Sequence, residues 1–272
     1  MRNLFWLAAS LAFAQGPPPP TYIPQTKFDA GQNVVPVFEG WLRNTDGSFT
    51  MVFGYFNRNF KEELVIPAGP DNKIEPGEAD RGQPTYFLPR RQPWVFRVPV
   101  PKDWGQKELV WTLTSHGRTE KAYAQLLPVE EITERIIMTR GNLNPGDDDP
   151  NKPPSITIAP PGAASLTSPL TLTALVTDDG LPKPRAPVKP RPGAQSNTVD
   201  NRPRGLNVSW MQYRGPAKAT FDASGPMPVA DGKAVTTVRF IEPGTYVLRA
   251  TANDGQLSTK VDLTVTVKPD TH

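Results

Sequence analysis

The chain has 272 residues, of which 33 are proline and none is cysteine, and its formal net charge is only +3. This length suits two domains of about 100 residues each plus connecting segments. The lack of cysteine excludes disulfides, thiolate metal ligands and a cysteine nucleophile. The proline content disfavours long helices, and the small charge excess argues against nucleic acid as a partner.

Residues 1–14, MRNLFWLAASLAFA, have the pattern of a signal peptide. Arg2 precedes an apolar run that ends in Ala12-Phe13-Ala14, the small-x-small pattern that signal peptidase cleaves. A membrane anchor is the alternative, but spanning a bilayer takes roughly 20 apolar residues and this run is shorter. We therefore expect cleavage after Ala14 and a mature protein that is secreted, periplasmic or at the cell surface, without a transmembrane span.

Residues 15–30 form a proline-rich spacer, and its Gly16–Pro20 run predicts polyproline II. Residues 31–127 then alternate apolar and polar side chains in about seven short segments, the pattern of β-strands. Side chains two residues apart share a face of a strand. Three inward-facing sets follow from this spacing: Phe49, Met51, Phe53 and Tyr55; Trp94, Phe96 and Val98; Leu109, Trp111 and Leu113.

Tight reversals are predicted at Asn44–Gly47 and Ser115–Arg118, since Gly, Asn and Asp tolerate positive φ. These reversals and the alternating segments predict an antiparallel sandwich. Residues 128–141 carry isoleucines at helical spacing, with acidic residues early and a basic residue late, which predicts one short helix. Residues 142–154 are rich in Pro, Gly, Asp and Asn and predict a linker.

Residues 155–268 contain a second set of strand-like segments, interrupted at 180–204 by a basic, proline-rich stretch with almost nothing to bury. We interpret that stretch as an exposed, unstructured loop. The whole chain is therefore predicted to be all-β, with two Ig-like antiparallel β-sandwich domains joined by a short helix and a Pro/Asp-rich linker.

Residues 153–267 resemble the PKD and cadherin-like repeat modules that are common in bacterial surface and secreted proteins. Four stretches carry the resemblance: Leu170-Thr-Leu-Thr-Ala, Val176-Thr-Asp-Asp-Gly180-Leu-Pro, Val208-Ser-Trp210, and Pro243-Gly-Thr-Tyr246 through Asp254-Gly255. The resemblance implies an Ig-like sandwich in which Trp210 is a core residue and Tyr246, Leu248, Ala250 and Ala252 alternate inward. It implies no activity, because many functions share this fold.

Three acidic groups are candidate calcium sites, because Ca²⁺ binds several oxygen ligands converging from loops. Asp147, Asp148 and Asp149 lie in the linker, and Asp178, Asp179 and Asp254 follow strands of the second domain. A third group in the first domain comprises Asp71, Asn72, Glu75, Glu78 and Asp80. None has the spacing of a defined calcium loop, so solvated turn residues are the alternative. No other cofactor is indicated.

Two features are candidate ligand contacts. Trp104 falls in a predicted turn, where an exposed indole would stack on a sugar; the alternative is a core residue. Arg185 and Arg191 lie in the basic loop, which also carries Lys183, Lys189, Arg202 and Arg204. These cations would engage an acidic polymer or anionic headgroups, and the alternative is a solvated loop.

No catalytic residue is predicted. The two histidines are His116, in a turn, and His272, the last residue, and Ser115 should point away from its neighbour His116 on a strand. The sequence therefore favours an exported, non-catalytic binding or structural protein of the cell envelope or extracellular space, acting in adhesion or in recognition of a protein or glycan. A secreted hydrolase, or an accessory domain pair of one, and a passive surface spacer are the alternatives.

Overall fold

The computed structural model describes residues 27–142, 149–183 and 205–269. Strands dominate these residues, and the one α-helix among them is short. The predicted all-β fold class is therefore confirmed. The predicted signal peptide, the proline run of the spacer, and most of the linker and of the basic loop lie outside the described residues.

The N-terminal sandwich is formed by a three-stranded sheet of order β1-β2-β6, a three-stranded sheet of order β4-β7-β8, and the small pair β3-β5. All pairings within these sheets are antiparallel. The strands are β1 (Val34–Arg43), β2 (Phe49–Asn57), β3 (Leu64–Val65), β4 (Asn72–Glu75), β5 (Tyr86–Phe87), β6 (Arg90–Val100), β7 (Leu109–Ser115) and β8 (Arg118–Ala124).

The core of this sandwich is aromatic and centres on Trp111, which has no exposed surface. The Trp111 ring lies nearly perpendicular to the rings of Phe96 and Phe53, with ring centroids 4.7 Å and 5.9 Å away. Its Nε1 donates to Asn72 Oδ1 at 2.9 Å, which satisfies the buried indole N–H. Two of the predicted inward-facing sets, on β2 and β7, belong to this core, although Phe49 is only partly buried.

Both predicted reversals are hairpins. His116 and Gly117 connect β7 to β8 with φ of 48° and 70°, as a two-residue turn between twisted strands requires. Asn44 and Gly47 close the reversal between β1 and β2 through a hydrogen bond from Gly47 N to Asn44 O of 3.1 Å.

The single helix predicted over 128–141 is wrong. A 3₁₀ turn covers Pro128–Glu130, and α1 is confined to Glu134–Met138. The residues between them are extended because Ile132 N donates to Trp41 O at 2.9 Å, which adds this segment to the edge of β1. Gly40 permits the approach, since a Cβ there would lie 2.6 Å from Glu130 O.

Strand β6 also departs from simple alternation. Its pairing with β2 shifts register between Phe53 and Tyr55, and Trp94 adopts φ of 48°. This bulge removes Trp94 from the central core and packs it instead beside Leu42, Val52 and Ile137 of a smaller cluster. The predicted common face of Trp94 with Phe96 and Val98 is therefore wrong at Trp94.

The C-terminal sandwich pairs a sheet of order β12-β14-β10-β9 with a sheet of order β13-β11-β15-β16. The grouping β9-β10-β14-β12 against β11-β15-β16 is the Ig-type arrangement of two antiparallel sheets. The strands are β9 (Ser155–Ile158), β10 (Leu170–Thr177), β11 (Asn207–Arg214), β12 (Ala219–Phe221), β13 (Met227–Pro228), β14 (Lys233–Phe240), β15 (Gly244–Asn253) and β16 (Ser258–Val267).

The alternation predicted for β15 is confirmed, because Tyr246, Leu248, Ala250 and Ala252 are all fully buried. Trp210, on β11, is 3% exposed and belongs to the same cluster. None of the helices among the described residues has the length and apolar character needed to cross a bilayer.

Candidate functional site

The two sandwiches dock through strand β11. Tyr213, on that strand, is 4% exposed and packs within the hydrophobic cluster of the N-terminal sandwich. Its hydroxyl donates to Gly82 O, and its own carbonyl accepts from Thr85 N at 3.2 Å. Burial raises the pKa of the Tyr213 hydroxyl to about 12, so that it stays protonated and can donate. The C-terminal sandwich thus contributes a side chain to the core of the N-terminal one.

The next residue, Arg214, also contacts the N-terminal sandwich. Its Nε donates to Gln83 O at 2.8 Å, and its two terminal nitrogens bind the Asp80 carboxylate at 2.7 and 3.0 Å. Consecutive strand residues normally face opposite ways, but the β11–β15 pairing shifts register between Gln212 and Arg214. The Arg214 guanidinium holds the pKa of the Asp80 carboxyl below its usual value.

Arg249, on β15, is the central cation of the interface. Its guanidinium carbon lies 3.9 Å from the centroid of the Tyr213 ring. Two of its nitrogens bind the carboxylate of Asp262, its cross-strand neighbour, at 2.7 and 2.8 Å, and a third donates to Val95 O. The Arg249 side chain is only 10% exposed, so these contacts are made with little competition from water.

On the N-terminal sandwich, the β6 bulge supplies main-chain acceptors for side chains of the C-terminal sandwich. In a regular strand, consecutive carbonyls point in opposite directions, whereas the carbonyls of Trp94 and Val95 both accept bonds from the C-terminal sandwich. Lys260 Nζ donates to Trp94 O at 2.9 Å, and Arg249 donates to Val95 O. The Glu39 carboxylate accepts from Trp94 N at 3.4 Å.

An open cleft of about 540 Å³ lies between the sandwiches beside these contacts. Its charged residues include two bidentate pairs, Arg249 with Asp262 and Arg97 with Glu134, the latter at 2.5 and 2.7 Å. More than half of the lining residues have polar side chains; the lining comprises Gly82, Trp94, Val95, Phe96, Arg97, Glu134, Ile137, Met138, Tyr213, Arg249, Ser258, Thr259, Lys260 and Asp262.

Lys260 is the cation of the cleft that lacks a carboxylate partner in the described part of the chain. Desolvation of its ammonium lowers the Lys260 pKa to about 8, although the residue as a whole is exposed. The positive charges of Arg249, Arg140 and Arg97 act in the same direction. The cleft therefore has an excess of positive charge around Lys260.

A second candidate site is the acidic end of the C-terminal sandwich. Asn151, which is 5% exposed, donates from Nδ2 to Asp254 Oδ2 at 3.2 Å. Its main-chain N–H donates to Asp149 Oδ1 at 2.8 Å, and Lys152 N donates to Asp179 Oδ2 at 3.0 Å. The structure thus brings the end of the predicted linker beside Asp179 and Asp254.

Two buried oxygens at this end, Asn151 Oδ1 and Asp178 Oδ1, have no hydrogen-bond partner among the residues that the structure describes. Burial first, and then the carboxylates of Asp254 and Asp179, raise the pKa of Asp178. Main-chain N–H groups of Lys152 and Leu181 lower the pKa of Asp179. Within the described ranges no three His, Asp or Glu side chains are grouped so that they could hold a metal. Asp147 and Asp148 lie outside those ranges.

The glycan-stacking hypothesis for Trp104 needs correction. Trp104 is 6% exposed and belongs to the N-terminal core, so its ring faces are covered by protein. The turn prediction holds, because Trp104 N donates to Pro101 O at 3.1 Å. Arg185 and Arg191 lie outside the described residues, as do the other cations of the basic loop except Lys183.

Two other predicted groups have structural roles. Asn72 is fully buried and donates to Ile66 O and Pro84 O at 2.9 and 2.8 Å. Ser115 Oγ accepts from Val34 N at 2.9 Å, and His116 Nε2 lies 3.2 Å from Glu62 Oε2. Neighbouring Ser115 and His116 are therefore held by different partners.

Sequence reasoning did not identify the cleft residues. Arg249 and Asp262 lie on strands, and their positions in the alternating pattern predict no role for them, although Arg249 is a charged residue among the uncharged residues of Val247–Ala252. A charged side chain in the middle of a strand whose other outward residues are uncharged is the signal that could have indicated an interface.

No family model matches the chain, and no curated protein matches it. Among solved structures, the D00-D0 domain of Intimin matches at 12% identity over 87% of this chain and 100% of that chain, with a TM-score of 0.29. The adhesin InvE of Yersinia pseudotuberculosis matches at 12% identity over 87% of this chain and 59% of that chain, with a TM-score of 0.25. Drosophila N-cadherin EC1-4 matches at 12% identity over 87% of this chain and 51% of that chain, with a TM-score of 0.26. Likenesses this distant carry no argument about function.

Proposed function

We propose that the chain is an exported, non-catalytic binding protein of the cell envelope or extracellular space, which recognises a protein or glycan through the cleft between its sandwiches. The observation that carries this proposal is the cleft itself, which has an excess cation and lies against a docking contact of buried charged groups. We also propose that the C-terminal sandwich is a PKD or cadherin-like module.

The docking contact is the reason to expect a preformed site. Arg249 and Arg214 hold both walls through bonds to main-chain carbonyls, and truncating a desolvated charged partner is costly. A preformed cleft spares a ligand the entropy of ordering two mobile domains. Two sandwiches held with a fixed cleft between them therefore favour a binding protein over a passive spacer.

The test is capture from the native envelope and culture medium by residues 15–272. We expect a specific partner to be retained by the wild-type protein and lost with Lys260→Glu, which inverts the excess charge of the cleft. Lys233→Glu is the matched control, because Lys233 is an exposed strand lysine outside the cleft. Equal capture by both variants would rule out the cleft, and no capture by the wild-type protein would favour the spacer.

The hydrolase alternative is tested on the same material. Substrate turnover by residues 15–272 in a broad hydrolase screen would contradict the non-catalytic part of the proposal. Since Ser115 and His116 are held by different partners, we expect no turnover that depends on Ser115.

We further propose calcium as a ligand of the acidic end of the C-terminal sandwich. Two buried oxygens here receive no hydrogen bond from the described part of the chain, and they lie beside carboxylates that repel each other. A bound cation would compensate both. Calorimetric titration with Ca²⁺ should give heat and a higher melting temperature, and Asp178→Asn should abolish both. A wild-type protein that gives neither heat nor a shift would end this proposal.

A further inference from the structure

The charge balance of the cleft indicates the chemistry of its ligand. Four cations influence or line it, Lys260, Arg249, Arg97 and Arg140, against the carboxylates Asp262 and Glu134. Both carboxylates are engaged by bidentate bonds to Arg249 and Arg97. Among the lining residues the charge of Lys260 is therefore in excess, and Arg140 adds positive charge nearby, which favours an anionic ligand.

Lys260 also retains hydrogen-bonding capacity. An ammonium has three N–H donors, and the described residues supply one acceptor for Lys260, the carbonyl of Trp94. Holding the ammonium against that carbonyl fixes its position at the cleft wall. Two donors at a fixed position beside further cations form a suitable partner for a carboxylate or sulfate group.

The rest of the lining fits a saccharide better than an apolar molecule. Ser258, whose hydroxyl donates to Met138 O at 3.1 Å, lines the cleft with Thr259, Trp94 and the charged groups. Its volume of about 540 Å³ is within the range of small-molecule sites, roughly 300 to 1,000 Å³. A lining of hydroxyl, charged and apolar residues suits the mixture of hydroxyls and C–H faces on a sugar.

We propose that this cleft binds an acidic saccharide, with the anionic group of the sugar at Lys260 and its ring among Trp94, Ser258 and Thr259. This inference rests on the proposed binding function and narrows its ligand to one class. Arg249 serves as a positioning residue, because each of its three nitrogens already donates to Asp262 or to Val95.

The test is calorimetric titration of residues 15–272 at pH 7 with a uronic-acid disaccharide and with its neutral glucose counterpart. We expect the acidic sugar to bind and Lys260→Gln to weaken it at least about tenfold, as loss of one charged hydrogen bond predicts. Lys260→Arg should retain most of the affinity, and Lys233→Gln should leave it unchanged. Unaltered melting temperatures would show that the variants fold.

The pH dependence gives a second readout. Desolvation lowers the pKa of Lys260 to about 8, so the charge of this ammonium is expected to change between pH 7 and 9. Affinity for the disaccharide should fall as the pH rises above about 8, by roughly tenfold per pH unit at the limit. Lys260→Arg should remove this dependence.

Each other outcome overturns the inference. Equal binding of the acidic and neutral sugars, or full affinity in Lys260→Gln, would show that the anion does not sit at Lys260. Binding of a hexaglutamate peptide in place of the disaccharide would assign the cleft to an acidic protein segment. If no sugar binds but envelope capture still depends on Lys260, the proposed function stands and the saccharide inference fails; if capture is also absent, both fail.

Discussion

Replacing Arg249 with methionine tests whether the docking contact is energetically significant. The variant loses a charged hydrogen bond to the buried Val95 carbonyl, worth about 1.5 to 3 kcal/mol, and the stacking of the cation on Tyr213, worth about 1 to 2 kcal/mol when desolvated. Asp262 is 40% exposed in the side chain and regains water, and methionine restores part of the packing. We therefore expect a net loss of about 3 kcal/mol from the free energy of unfolding.

Arg43→Met is the matched control. Arg43 also forms a bidentate pair, with Glu131, and lies over two aromatic rings, but its side chain is 58% exposed. Its loss should cost about 0.5 kcal/mol, as exposed ion pairs do. The assay is urea unfolding followed by fluorescence, with calorimetry to detect whether the sandwiches begin to melt separately. Equal costs for the two variants would refute the argument that the buried cation holds the sandwiches together.

Three further predictions concern single side chains. Asn72→Asp should cost at least about 4 kcal/mol at pH 7, because a carboxylate would replace the amide that donates to two buried carbonyls; a milder effect in urea unfolding than that of Asn72→Ala would contradict this. Gly54→Ala should cost about 2 kcal/mol or more, since its Cβ would lie 2.5 Å from Gln92 O, and a melting temperature equal to wild type would disprove the close approach. In chelator at pH 7, Asp178→Asn should raise the melting temperature and Asp179→Asn should lower it, because the pKa is raised at the first and lowered at the second. Because the pKa of Asp178 is raised in the folded state, its ionisation begins to destabilise the fold above the unfolded pKa of 3.8 and has no such effect well below it. The increase in melting temperature from Asp178→Asn should therefore vanish in thermal scans near pH 3.

The period-2 rule predicted the cores well, because burial on one face of a strand leaves little choice of register. Met51, Phe53 and Tyr55 on β2 and the alternating set on β15 are fully buried, as their spacing requires. The rule failed at Trp94, because a bulge places three residues of β6, residues 93–95, opposite Gly54 of β2. A bulge depends on the partner strand and on Glu39 and Gly54, which no local pattern in β6 indicates.

Prediction from the sequence failed for the helix and for the cleft for different reasons. Isoleucine spacing over 128–141 fits a helix, but hydrogen bonding to Trp41 made an extended conformation more favourable at Ile132. The cleft was beyond local reasoning, because Arg97 and Lys260 lie on strands of different sandwiches. Charged strand residues are usually solvated, so their convergence follows only from how the sandwiches dock.

The placement of Tyr213 has a consequence for how the protein matures. A chain is synthesised from its N-terminus, so the strands of the N-terminal sandwich are available to fold before β11 arrives. Their hydrophobic core is nevertheless complete only when Tyr213 is inserted from the later sandwich. The N-terminal sandwich therefore completes its folding only when the C-terminal sandwich folds. A chain truncated before Tyr213 would leave part of the N-terminal core exposed to proteases and prone to aggregation.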